Sequence, residues 1–311
     1  MGHKILVTGG AGYLGSTLAP ELLRAGHEVT VLDNFMYNQN SLAHICHDTN
    51  FKLVRGDVRL KSTLTPLLKE AEIIIPLAAL VGAPICDRDP VVAKTINHDS
   101  MLELFNLVGD QQCILMPTTN SAYGTGDENN YCTEESELRP ISSYAKEKVA
   151  VEKALMRRKN SISFRLATVF GMSPRMRIDL LVNDFTYRAT NDRFLILFES
   201  HFKRNFIHVR DVTKAFLHSI ENYDEMRGEV FNVGVSEANL SKKELCNAIK
   251  KHVPGFIFQE AAIGKDPDQR NYIVSNKKIE GSGFKPDKSL DAGIIELIKG
   301  YRMIKNNRYG N

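Results

Sequence analysis

The sequence predicts an α/β fold, a doubly wound parallel sheet with helices on both faces, followed by a smaller C-terminal α/β region. Three observations predict it. Short apolar runs such as Ile5-Leu-Val7 and Ile73-Ile-Ile75 lack the alternation of a half-solvated strand, so they read as parallel strands covered on both sides. Amphipathic stretches of helical length separate them. The first run also ends in a glycine-rich turn, and the strand-like stretch of residues 27–33 ends in an acid, Asp33.

Residues 5–7 form the first strand, and residues 16–25 a helix that stops at Gly26. Between them, Gly10-x-Gly12-x-x-Gly15 overlaps Gly9-x-x-Gly12-x-x-Gly15. A strand, such a turn and a helix N-terminus together cradle a diphosphate: backbone N–H groups and the helix dipole point at the anion, and glycine lets it approach. This is the Rossmann-type dinucleotide turn, with Gly9, Gly12, Tyr13 and Leu14 as its expected contacts. Residues 27–33 are the second strand, and Asp33 lies 18 residues after Gly15, close to the spacing of an acid that hydrogen-bonds the adenine ribose. Asn34 stands beside it. A carboxylate there repels a 2′-phosphate and no Arg follows to offset it, so NAD is expected rather than NADP. Residues 37–50 are polar and fit either a loop or a frayed helix.

Residues 51–54 are the third strand, leading to Asp57 and Val58, which are placed to meet the adenine. Residues 72–77 are the fourth strand, with Leu77, Ala78 and Ala79 at its exit, where small residues let a dinucleotide lie close. A helix over residues 91–108 contains Asn97. The fifth strand, residues 112–116, exits through Pro117-Thr-Thr119-Asn-Ser121-Ala-Tyr123-Gly124, a hydroxyl-rich stretch at the end of the sheet where open α/β folds bind ligands. Residues 127–139 are a polar loop. The next helix opens at residue 142 and carries Tyr144 and Lys148, four apart and hence on one face. A lysine one turn from a tyrosine is expected to favour its phenolate, which can exchange a proton with an alcohol. Tyr-x-x-x-Lys alone is common on solvated helices; its place after a nucleotide turn gives it weight.

Composition bounds the rest. The chain has 311 residues, with 40 Lys+Arg against 37 Asp+Glu, a formal charge of +3, which speaks against a nucleic-acid partner. No apolar run approaches the roughly 18 residues of a membrane span, and no secretory leader pattern opens the sequence. The cytoplasm is the expected compartment. Five scattered cysteines suit reduced thiols. His44-Ile-Cys-His47 lacks a second ligand pair, so no metal is expected.

In this order and spacing the residues resemble the extended short-chain dehydrogenase/reductase family that modifies nucleotide-sugars. The landmarks are Thr8-Gly9-x-x-Gly12-x-x-Gly15, Asp33, Asp57-Val58, Leu77-Ala-Ala79, Thr119 with Tyr123-Gly124, Tyr144-x-x-x-Lys148, Phe164-Arg-Leu166, Arg204-Asn-Phe-Ile-His-Val-Arg-Asp211 and Phe231-Asn-Val-Gly234. The resemblance implies Tyr144 as acid/base, Lys148 as its electrostatic partner on the nicotinamide ribose, Thr119 on the sugar hydroxyl, and Asn97 near the cofactor. It places Ser121, Thr168, Arg204 and Arg270 with the nucleoside-diphosphate sugar and makes Arg175 and Arg177 a lid over the sugar. It also implies a homodimer through the helix near residues 91–108 and the one carrying Tyr144. Residues 1–171 would hold NAD and residues 172–311 mainly the substrate, with residues 205–234 partly returning to the first unit.

Two departures narrow the chemistry. Asn120-Ser121 replace the Asp-Glu pair with which 4,6-dehydratases eliminate water, and Thr168 replaces an Asn that many epimerases carry. Further stretches, such as residues 79–84, 173–177 and 266–272, are similar to bacterial GDP-D-glycero-α-D-manno-heptose 4-dehydrogenases of capsular polysaccharide pathways. The expected activity is thus NAD-dependent oxidation of a sugar C4 hydroxyl. A 4-epimerase is the alternative, ahead of a 4,6-dehydratase or a non-catalytic NAD-binding protein.

Overall fold

In a computed structural model, residues 2–125, 131–261 and 270–304 are described. The strands are β1 (Lys4–Thr8), β2 (Glu28–Asp33), β3 (Phe51–Arg55), β4 (Ile73–Pro76), β5 (Cys113–Thr119), β6 (Ser161–Leu166), β7 (Thr168–Phe170), β8 (Phe194–Leu197), β9 (Lys203–His208), β10 (Val230–Val233), β11 (Asn239–Ser241) and β12 (Ile257–Glu260). The helices are α1 (Gly15–Arg24), α2 (Lys61–Glu70), α3 (Ala83–Arg88), α4 (Pro90–Lys94), α5 (Ser100–Leu107), α6 (Ser143–Leu155), α7 (Leu181–Asn191), α8 (Val209–Glu221), α9 (Tyr223–Met226), α10 (Lys242–His252), α11 (Lys277–Gly281) and α12 (Leu290–Gly300).

Seven strands form one parallel sheet in the order β10-β6-β5-β4-β1-β2-β3. The continuous apolar runs have a direct cause: successive side chains point to opposite faces, and both faces are covered. Ile5, Val7, Val31, Ile73 and Ile75 pack with Leu18 and Leu22 of α1 and Phe216 of α8. Leu6, Leu32, Ile74 and Ile114 pack on the other side with Leu64 of α2, Leu104 of α5 and Leu155 of α6. Each such aliphatic side chain contributes about 1.5–3 kcal/mol on burial. The order reverses between β1 and β4, which opens the crevice where this topology holds ligands.

A second layer is built by β11-β9-β7 and the parallel pair β12-β8. Phe170, Phe185, Phe206, Phe256 and Leu297 form its core with α7, α10 and α12. Among the described residues no helix is long and apolar enough to cross a membrane.

Two local expectations are corrected, and one open alternative falls to the loop. The helix expected over residues 91–108 is broken into α4, a π-helical turn (Thr95–Asp99) and α5. Asn97 sits in that turn, its side chain engaged by a distant backbone, and π-turns often mark such sites. The fifth strand runs on through Thr119 because β6 pairs with it that far. Residues 37–50 hold only a 3-10 turn, Ala43–Ile45, because Asn34 and Gln39 side chains bond nearby backbone N–H groups and stabilise turns.

Candidate active site

The glycine turn is shaped by contact with the neighbouring strand exit. Gly9 has φ +68°, and a Cβ there would lie 2.6 Å from Ala78 backbone atoms. A side chain at Gly9 is therefore excluded twice, by backbone conformation and by space. A Cβ on Gly15 would fall 2.5 Å from Gly10, so α1 packs directly on the turn. The first turn of α1 carries no acidic residue and no side-chain cap, leaving its positive end open to an anion. Leu77 and Ala79 flank Ala78, with the Leu77 N–H donating to Thr8 at 2.9 Å.

Asp33 ends β2 and is buried. Its carboxylate accepts from the Ala11 N–H at 3.0 Å, the Phe35 N–H at 2.8 Å and Gln39 Nε2 at 3.3 Å. Burial pushes its pKa up while these donors pull it down. The carboxylate thus braces the glycine turn. An open helix N-terminus, side-chain-free turn and terminal acid together fit a dinucleotide.

The other residues expected at the cofactor have these surroundings. Asp57 is held by Arg59 in a local ion pair of 2.6 Å, which lowers its pKa, and Val58 next to it is buried core. Asn34 is exposed and accepts from the Met36 N–H. The Tyr13 hydroxyl donates to the Gly171 carbonyl at 2.8 Å, and Leu14 packs on the core. Asn97 lies fully buried; its Oδ1 accepts from the Leu80 N–H at 2.8 Å and its Nδ2 donates to the Leu80 carbonyl at 3.0 Å. It fixes the loop after β4, and Leu80 in turn packs on Tyr144.

α6 begins at Ser142, whose hydroxyl accepts from the Ala145 N–H. Its face toward the crevice carries Tyr144 and Lys148, both buried, with Tyr144 packed among Leu80, Cys86, Ala93 and Ile96. The expected lowering of the Tyr144 pKa by Lys148 is not what the structure shows. Burial, then Cys86, push the phenol up to about 12, and the cations pulling it down are Arg177 and Arg270. Lys148 is itself driven down to about 8 by burial, so its charge is retained at neutral pH only against a desolvation cost. The environment disfavours charge on both groups, as is common where chemistry is done.

At the exit of β5, Thr119 Oγ1 donates to Ser121 Oγ at 2.9 Å and accepts from the Ser121 N–H at 3.1 Å. Arg270 donates to the same Ser121 hydroxyl. Strand exit, α6 and a cation from the second half therefore converge, an arrangement able to orient a hydroxyl and accept its proton. Arg204 is almost fully buried in the second layer, its guanidinium 5.7 Å from the Tyr272 ring and bonded to the Lys203 carbonyl. Thr168 is half-buried in β7, opposite Phe206. The Arg175 guanidinium lies 4.5 Å from the ring of Tyr37, in the loop after β2. Residues 266–269 of one quoted stretch, and residues 126–130 of the polar loop after β5, lie outside the described residues.

Sequence reasoning named no role for Arg165 and passed over Glu152 and Cys86. Glu152 continues the four-residue period of Tyr144 and Lys148, a signal that was present. Cys86 gave none, because its nearness to Tyr144 arises only from the fold.

The comparisons with known proteins extend over most of the chain. The family described as "NAD dependent epimerase/dehydratase family" matches residues 5–234. The chain is similar to the low-salt glycan biosynthesis protein Agl12 of Haloferax volcanii, 27% identical over 96% of this chain and 98% of that one. It is also similar to a putative UDP-glucose 4-epimerase of Methanocaldococcus jannaschii, 28% identical over 97% and 99% of the two chains. In fold it resembles UDP-glucuronic acid 4-epimerase of Bacillus cereus, solved with UDP-glucuronic acid and NAD, with a TM-score of 0.85, 21% identity and coverage of 96% and 99%.

Proposed function

The chain belongs to the NAD-dependent epimerase/dehydratase family of nucleotide-sugar-modifying enzymes, and on that premise we propose that it oxidises the C4 hydroxyl of a nucleoside-diphosphate sugar. The observation that carries this reading is the burial of Tyr144 and Lys148 on one face of α6, beside the Leu80 loop held by Asn97. Gly9, Gly12, Asp33 and the Leu77–Ala79 exit would hold NAD. When bound, NAD supplies the hydride acceptor and a positively charged ring.

Thr119 orients the sugar hydroxyl through its own hydroxyl, which Ser121 holds in place. Tyr144, as its phenolate, accepts the hydroxyl proton and becomes the neutral phenol, a step that typically contributes 10²–10⁴-fold. Arg177 and Arg270 stabilise the phenolate by charge, and Lys148 completes the polar end of the same helix face. Arg204 and Arg270 are proposed to hold the diphosphate, a task suited to guanidinium geometry, and Thr168 to lie near the sugar. Asn120 and Ser121 offer no carboxyl group for elimination of water, which counts against a 4,6-dehydratase. We also propose a homodimer through α4, α5 and α6.

Release of the 4-keto sugar makes the protein a dehydrogenase, and the finer reading is a GDP-D-glycero-α-D-manno-heptose 4-dehydrogenase serving capsular polysaccharide synthesis. That assignment is supported by the sequence stretches alone. Return of the hydride to the other face makes it an epimerase, the second reading, which the UDP-sugar epimerase names of the relatives favour. Incubation with GDP-manno-heptose, UDP-glucose and UDP-glucuronic acid separates them. Nicotinamide absorbance growing with a product two mass units lighter supports the dehydrogenase; an isomer of equal mass with no net absorbance change supports the epimerase.

A further inference from the structure

The segment after β7 turns back over the glycine turn and is fastened to it. Ser173 Oγ donates to the Tyr13 carbonyl at 2.7 Å and lies 2.9 Å from Ser16 Oγ, while the Arg175 N–H donates to Ser16 Oγ at 3.3 Å. Tyr13 reaches the other way, to Gly171, and Asn183 donates to its hydroxyl at 3.3 Å. Farther along, Arg177 Nη2 donates to the Val81 carbonyl at 3.2 Å, in the loop after β4, and its Nε pairs with Asp179 at 2.9 Å. Asn183 Nδ2 fixes the backbone between them by donating to the Arg177 carbonyl at 2.8 Å.

Three strand exits are thereby bridged by one segment. The first turn of α1 follows β1, Tyr37 follows β2, and Val81 follows β4. The β1 and β4 exits border the crevice where the strand order reverses, and β2 lies next to β1. Both guanidiniums are buried. Burial lowers the Arg175 pKa, and the nearby Arg177 charge lowers it further. Arg177 is paired with Asp179 and Arg175 Nη1 donates to the Met176 carbonyl, while the planar Arg175 guanidinium carries donors of the kind that suit a diphosphate. Stacking on Tyr37 sets the plane of Arg175.

Resting on the reading that this chain binds NAD, we propose that residues 171–179 form a strap over the bound dinucleotide, in which Arg175, stacked on Tyr37, grips the diphosphate. The second half of the chain then supplies part of the cofactor site, and Arg175 serves the cofactor rather than the sugar.

The test is NAD binding by titration calorimetry and release by stopped flow, for the full chain and for Arg175→Ala, Arg175→Lys and Tyr37→Ala. Loss of a charge-assisted contact is expected to weaken NAD about 10–100-fold in Arg175→Ala, chiefly through faster release. A smaller loss is expected in Arg175→Lys, which keeps the charge but not the stacked plane. Hydrogen exchange on the unaltered protein provides a readout independent of variant folding: amides of residues 171–179 should become protected when NAD is added. If the unaltered chain binds no NAD, the cofactor reading itself fails. If it binds NAD while folded Arg175→Ala releases it at the original rate, or the strap amides exchange unchanged, the strap is overturned.

Discussion

Glu152 and Arg165 meet in the interior at 2.7 Å, joining the helix that carries Tyr144 to β6. Both side chains are nearly inaccessible, at 5% and 6%. Glu152 also accepts from Thr118 Oγ1 at 2.9 Å and Ser163 Oγ at 2.7 Å, and Arg165 donates to the Tyr123 hydroxyl at 3.0 Å. Tyr123 passes the chain on to Asn232 of β10 at 2.7 Å. One buried pair thus sets α6 against β5, β6 and β10. Removing one partner strands a buried charge, so Glu152→Ala should lose about 3–5 kcal/mol in urea unfolding. The double variant Glu152→Ala/Arg165→Met should lose less than the sum of the two single changes, since neither charge is then left alone. Strict additivity would show that the pair acts as two separate anchors.

Tyr144 is the group asked to move the proton, and its substitution should separate chemistry from binding. Tyr144→Phe keeps the ring among Leu80, Cys86 and Ile96, so the protein should fold and bind NAD as before. Turnover of the true substrate should fall by about 10²–10⁴-fold. Near-normal turnover by the purified variant would remove Tyr144 from the acid/base role.

The parts legible in the sequence share a feature: their pattern is local. Ile73-Ile-Ile75 could be read as a doubly covered strand, and the pair Tyr144 and Lys148 as one helix face, because each follows from spacing alone. The break at Asn97 could not, since the group that holds it, the backbone of Leu80, arrives from another strand exit. Arg177 was visible as a charge but not as a neighbour of Tyr144, because its contact with Val81 spans 96 residues. Arg175 shows the same limit in reverse. Its position after the last core strand suggested a lid, but gave no sign that the fold stacks it on Tyr37.

Asp33 predicts the choice of cofactor. A 2′-phosphate at the ribose would face this carboxylate, and like charges a few ångströms apart near a protein surface repel by about 4 kcal/mol before salt screening. NAD should therefore bind at least about 10-fold more tightly than NADP in a titration at low salt. Asp33→Asn removes the charge but keeps an acceptor for the Ala11 or Phe35 N–H, and should narrow the difference. Equal affinities in the unaltered protein would show that this carboxylate does not face the ribose.

Lys148 illustrates what the site costs the fold. Its pKa falls from 10.5 in the unfolded chain to about 8 in the folded one, with burial the largest cause. Between those two values the unfolded chain binds the extra proton, so this group makes stability rise with pH across that window. Below about 8 the full penalty is present, on the order of 3 kcal/mol from the size of the shift. Lys148→Met fills similar space without the charge. The cofactor-free variant should be more stable than the parent at pH 7 by up to about that amount, and the advantage should shrink at pH 9.5. Tyr144 does not confuse the comparison: its raised pKa works in the opposite direction, making stability fall with rising pH, and only above the ordinary tyrosine value of 10. Activity of the variant should collapse at either pH, because the gain in stability comes from deleting a group kept for chemistry. Urea unfolding at the two pH values measures the effect, and a variant no more stable than its parent at pH 7 would mean that Lys148 is better solvated in the folded chain than its burial implies.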